Sequence, residues 1–159
     1  MSRNGIYRNG EGYYDPTAGA AMSRVLKEYR HARKVEWEKE NEIKNRPRAY
    51  VVSRYTGDVG RNMADAIDCC RFLIEEKKIP VASHLLYPQM LNDCDPEERL
   101  LGTMFGLSLL ACCQEVWVFT RNDEISDGMR REIEEAKRLE KTIHYCDVTT
   151  QGGKADAIS

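Results

Sequence analysis

The stretch Ala49-Tyr-Val-Val-Ser-Arg-Tyr-Thr-Gly-Asp58 decides the fold. Ala49 to Ser53 is a short apolar run, the pattern of a buried strand. Arg54 to Gly57 interrupts it, and Asp58 stands as the N-cap of a helix in which Val59, Met63, Ala66, Ile67, Cys70 and Ile74 share one face. The same order of strand, loop and helix then recurs. Ile79-Pro-Val-Ala82 reads as a second strand and Ser83-His-Leu-Leu-Tyr-Pro-Gln89 as the loop leaving it. Asp95-Pro-Glu-Glu98 has a cap, a proline at the first helical position and a glutamate at the third, which is how a helix starts. That helix is apolar nearly all round, through Leu100, Leu101, Met104, Phe105, Leu107 and Leu110, and is expected to be buried. Glu115-Val-Trp-Val-Phe119 is the third strand, Ser126 caps a helix carrying Met129, Ile133 and Ala136, and Thr142-Ile-His-Tyr145 is the fourth strand. Parallel neighbours need crossover connections, so three successive β-α-β units predict an α/β, doubly wound, four-stranded parallel sheet with helices on both faces.

The rest of the 159 residues frames this domain, which is expected to span residues 47–147. Residues 1–15 carry no period and read as a flexible arm. Asp15-Pro16 opens an extra N-terminal helix over residues 16–46, with Ala21, Val25, Tyr29 and Ala32 along one side and a mixed-charge run after them. A helix longer than so small a domain needs is a possible oligomerisation element. Residues 148–159 read as a disordered tail. The chain is 42% hydrophobic, enough to fill a core, and its 24 basic and 26 acidic residues leave a net charge of -2. That balance gives no strong nucleic-acid signal. No apolar run approaches the ~20 residues of a membrane span, and the N-terminus lacks the apolar core of a signal peptide, so a cytoplasmic protein without a membrane partner is expected. The six cysteines include the adjacent pairs Cys69-Cys70 and Cys112-Cys113, which point to reduced thiols, and with His31, His84 and His144 far apart no metal spacing emerges.

Ligands of doubly wound sheets bind outside the carboxyl ends of the strands, which restricts the search to four loops. Ser53-Arg-Tyr-Thr-Gly-Asp58 leads from a strand to a helix N-terminus and is placed to hold a phosphate or a sugar hydroxyl. It is neither G-x-x-x-x-G-K-[ST] nor G-x-G-x-x-G. Asp58 reads equally well as a helix cap. His84 follows the second strand, where it could donate to a substrate, move a proton or bond a loop carbonyl. Ser126 and Gly128 let a ligand approach the exposed N–H groups of a helix start, with Glu132 one turn deeper. Taken alone, Glu132 is one of several glutamates on a charged helix.

In order and at the right spacing, Ser53 to Asp58, Ser83 to Gln89, Asp95 to Arg99, Glu115 to Phe119 and Ile125 to Glu132 resemble an uncharacterised family of short bacterial and phage proteins. That family is similar to the nucleoside 2-deoxyribosyltransferase superfamily, whose fold is flavodoxin-like. The resemblance covers about Arg48 to Tyr145. It implies a nucleoside or nucleotide-like ligand and a homo-oligomer, with no cofactor and no metal. In the transferases a glycine followed four positions later by a glutamate supplies the nucleophile, and Gly128 and Glu132 match that spacing. The implied reaction cleaves or transfers an N-glycosidic bond by double displacement. Glu132, Asp58 and His84 become the catalytic candidates; Ser53, Arg54, Tyr55, Gly57, Tyr87, Ser126, Gly128 and Met129 become the ligand-binding ones. Where the transferases carry an acid in the helix before the third strand, this chain has Leu107, so the proton for the leaving base would come from Asp58, His84, Asp95 or another subunit. The alternative is a non-catalytic nucleotide-binding module, or an oligomeric interaction protein, using the same pocket.

Overall fold

The computed structural model describes Glu11, Tyr13 and residues 15–148; most of the expected arm, and the expected tail beyond Val148, lie outside the described residues. The chain divides between Asn45 and Arg46 into two units.

Among the described residues the first unit holds one helix, α1 (Pro16–Lys44). Asp15 caps it as expected, its carboxylate accepting from the N–H groups of Thr17 and Ala18. Val25 and Tyr29, on the expected apolar side, are exposed, and Arg33–Glu36 and Lys34–Glu38 pair along the helix surface.

The second unit is the sheet domain: β1 (Arg48–Val52), α2 (Val59–Glu75), β2 (Ile79–Val81), α3 (Pro96–Ala111), β3 (Glu115–Thr120), α4 (Asp127–Arg138) and β4 (Thr142–Asp147). Two short 3-10 turns, Ser83–Leu85 and Tyr87–Gln89, lie within the loop between β2 and α3. All four strands are parallel, in the order β2-β1-β3-β4. The expected doubly wound α/β sheet is therefore what the chain forms.

Alternation along the strands sorts the core into two layers. Tyr50, Val52, Val116 and Val118 pack with Leu110 of α3 and with Met129, Ile133 and Ala136 of α4. Ala49, Val51 and Phe119 face the other way, onto Cys69 and Leu73 of α2.

Two expectations about the helices need correction. α2 buries Ala66, Cys69 and Leu73, while Val59, Ile67 and Ile74 of the expected stripe are exposed. Within this unit α2 is the one described helix on its face of the sheet, and only residues along its centre are enclosed. α3 is not a buried helix. Gly106 and Leu110 alone are fully buried, and Leu100, Leu101, Met104 and Phe105 are 43–59% exposed. α3 turns Gly102, Thr103, Gly106 and Leu107 toward a cavity, and Leu100, Leu101, Met104 and Phe105 stand on its other faces, outside that lining. No described helix is long and apolar enough to cross a membrane.

Candidate functional site

β1 and β3 are neighbours whose connections diverge: the chain leaves β1 for β2 on one side and β3 for β4 on the other. Such a switch point opens a crevice at the carboxyl ends of the strands. A cavity of about 680 Å³ occupies it on the α3/α4 face. The loops after β1 and β2 contribute Ser53, Arg54, Tyr55, His84 and Tyr87 to its wall. The start of α4 contributes Ser126, Gly128, Met129 and Glu132.

Glu132 is fixed from beneath. Ser126 caps α4, its hydroxyl accepting from the N–H of Met129 at 3.4 Å, and buried Met129 and Ile133 seat the helix on the sheet. Glu132 is thereby aimed at β1, where the Tyr50 hydroxyl donates to its Oε1 at 2.7 Å. The same hydroxyl lies 2.7 Å from Ser83 Oγ. Having given its one proton to the carboxylate, Tyr50 accepts from Ser83, so the three groups form a directed chain from Ser83 to Tyr50 to Glu132. Oε2 of Glu132 has no hydrogen-bond partner among the described residues and is free to meet a ligand. Burial pushes the Glu132 carboxyl up to about 7, and the Tyr50 hydrogen bond opposes that rise. Burial, and next the charge of Glu132, push the Tyr50 phenol far above its ordinary range, so it remains a donor.

A second polar pair lies nearby. His84 Nε2 is 2.9 Å from Ser53 Oγ, and burial lowers the imidazole to about 4. At neutral pH His84 is an uncharged ring, suited to orienting a ligand rather than to giving up a proton. Tyr55 tilts against it at a centroid distance of 6.5 Å, and Tyr87 lies 5.3 Å from Phe105 on α3. Arg54 Nη1 pairs with Glu124 Oε2 at 2.6 Å, so its charge is already met by the loop after β3.

Gly57 and Asp58 do not join Glu132. They line a smaller cleft of about 290 Å³ on the α2 face of β1. Gly57 has φ +102, a conformation only glycine adopts freely, and Asp58 caps α2 by accepting from the N–H of Arg61 at 3.1 Å. Asp95 is likewise a cap, for α3. Leu107 lines the main cavity, so the position that the resemblance compares with an acid presents an apolar side chain there.

Three residues of the site escape sequence reasoning. Tyr50 sits in an apolar strand and reads as core; its hydroxyl among Ala and Val is the one signal available. Ser83 reads as loop. Gly106 reads as a filler in an apolar helix, yet a Cβ there would lie 3.0 Å from Ser83 Oγ and 3.1 Å from the Tyr50 hydroxyl. Its missing side chain is what lets α3 close over the chain of hydroxyls. Among the described residues no three acidic, histidine or cysteine side chains cluster as metal ligands do.

One solved structure with this architecture is the 2-deoxyribosyltransferase of the psychrotolerant bacterium Bacillus psychrosaccharolyticus, described as a biocatalyst for the synthesis of antiviral and antitumoral nucleosides. The TM-score is 0.51 at 12% identity, over 69% of this chain and 77% of that one, which establishes a shared fold. No curated protein sequence matches the chain significantly. A family model does match residues 47–146, the whole sheet domain, and the chain therefore belongs to the family defined by the domain of unknown function DUF7768.

Proposed function

We propose that the cavity binds a nucleoside or nucleotide and that Glu132 cleaves or transfers its N-glycosidic bond. The single observation that carries this reading is the Glu132 carboxyl itself: walled in, held at Oε1 by Tyr50, open at Oε2, and poised near neutrality. In the first step Oε2 forms a bond to the anomeric carbon while the bond from that carbon to the base nitrogen breaks, its electron pair leaving with the base. In the second, water or another base attacks the same carbon and Glu132 departs as a carboxylate. Tyr50 stabilises that charge by hydrogen bonding, and Ser83 holds Tyr50 in its donor orientation. His84 with Ser53 and the rings of Tyr55 and Tyr87 orient the sugar and base. A binding module without turnover is the second reading, favoured by Leu107 where the transferases hold an acid.

The test is base release from a panel of nucleosides and nucleotides, with and without an acceptor base, followed by chromatography. Release that Glu132→Gln abolishes supports the reading. Ligand-induced stabilisation without release, equal in wild type and variant, supports the binding module.

A further inference from the structure

The sheet ends in two edges that are built differently. β2, on one side, has three residues with Pro80 at their centre. The Ile79 N–H donates inward to the Pro47 carbonyl at 2.9 Å, so by alternation the nitrogen of Pro80, which carries no hydrogen, faces outward. That edge offers little to another strand. β4, on the other side, has six residues, no proline, and one charged residue, Asp147, at its far end. Lys141, just before it, does not guard the edge, because its Nζ donates to the carbonyls of Ala111 and Cys113 at 2.8 and 2.7 Å. Among the described residues, no backbone hydrogen bond other than the pairing with β3 reaches residues 142–146. Thr142 and Tyr145 are exposed along the same strand.

A long strand edge without such protection is a template for another strand. We infer that β4 pairs with β4 of a second copy of this chain, antiparallel about a two-fold axis at His144, so that the two sheets continue as one of eight strands. The occupant is a second copy because the strand is self-complementary in that register. Ile143 lies opposite Tyr145 of the second copy, a β-branched residue against an aromatic one, and the symmetry repeats the pair. Both stand on the same face of the sheet: Ile143 packs against the core layer of Val116 and Val118, and Tyr145 follows by alternation. On the other face Thr142 lies opposite Cys146, which packs against the layer that holds Phe119. The inference is independent of what the cavity binds.

The experiment is analytical ultracentrifugation of the full chain beside Tyr145→Lys on the edge and Tyr29→Lys on the exposed side of α1, with melting curves to check that the variants are folded. The expected result is a dimer in wild type and Tyr29→Lys, and a dissociation constant raised roughly tenfold or more in Tyr145→Lys. A second variant reads the register. Directly opposite residues of antiparallel strands have Cα atoms about 4.5–5.5 Å apart, within the range a disulfide spans, whereas residues 142 and 146 of one strand are roughly 13 Å apart. Thr142→Cys is therefore expected to give a covalent dimer through Cys146 of the second copy on air oxidation catalysed by copper phenanthroline, and none once Cys146→Ser is added. A chain that stays monomeric in the high micromolar range overturns the inference. So does a dimer that Tyr145→Lys leaves intact, whether or not Tyr29→Lys dissolves it, and so does a dimer without the Cys146-dependent cross-link.

Discussion

On the α2 side of β1, each carboxylate lining the cleft has a partner. Arg121 Nη2 meets Asp65 Oδ2 at 2.8 Å, Asp58 caps α2, and the Asn62 amide donates to the carbonyls of Tyr55 and Thr56. On the α3/α4 side, Glu132 has one oxygen bonded and one open. Both clefts stand at the end of the same strand and draw on the same residue types. Polarity at a ligand-facing edge therefore does not distinguish a site from a scaffold; the balance of partners does. One cleft shapes the loop, and the other holds back binding capacity for something the chain does not itself contain.

The sharpest way to break this comparison is to remove the open carboxylate. Glu132→Gln is expected to lower base release at least on the order of 10³-fold, measured by single-turnover product analysis. The same variant exposes a pH effect. With its folded pKa raised from 4.5 to about 7, Glu132 contributes stability as a neutral acid; that contribution is complete below pH 4.5 and is lost as pH rises through about 7. Denaturant titrations of wild type against Glu132→Gln are expected to converge in acid and to diverge in favour of the variant above pH 7, by roughly 3 kcal/mol at most.

Tyr50→Phe comes next. It is expected to cost about 10- to 100-fold in turnover, and to move the acid limb of the pH–rate profile upward, because the lost hydrogen bond was lowering the Glu132 pKa. Gly106→Ala is expected to cost about 1–3 kcal/mol in chemical denaturation by pressing on Ser83 and Tyr50. Gly102→Ala is its control, because a Cβ there meets Leu91 at an ordinary 3.4 Å. The smallest effect belongs to the satisfied cleft. Asp65→Asn breaks a half-exposed pair and is expected to cost less than about 1 kcal/mol, leaving base release unchanged.

The sheet was legible because strands and caps announce themselves locally. Asp15, Asp58, Asp95 and Ser126 each cap the helix expected of them, and the four strands fall within two residues of the expected bounds. The exposure of α3 was not legible, since a helix apolar nearly all round gives no sign of which faces the domain leaves uncovered. Glu132 could be singled out by its spacing from Gly128, but its partners could not. Tyr50 and Ser83 are defined by what faces them across the sheet, and one sequence carries no record of that. Asp58 shows the converse: a residue in a ligand-facing loop, of the right chemistry, turned to the other cleft by the direction in which α2 departs.

The Tyr50–Glu132 bond joins residues 82 apart in the chain, and the Tyr50–Ser83 bond joins residues 33 apart. Neither contact is local, so neither exists until β1 has paired with both neighbours and α4 has docked. Tyr50 is fully buried on a central strand, and the openings that release it are those that dismantle the sheet itself. The site is thus assembled late and lost all at once, and slow amide exchange at Tyr50 would report the lifetime of the functional arrangement as directly as that of the fold.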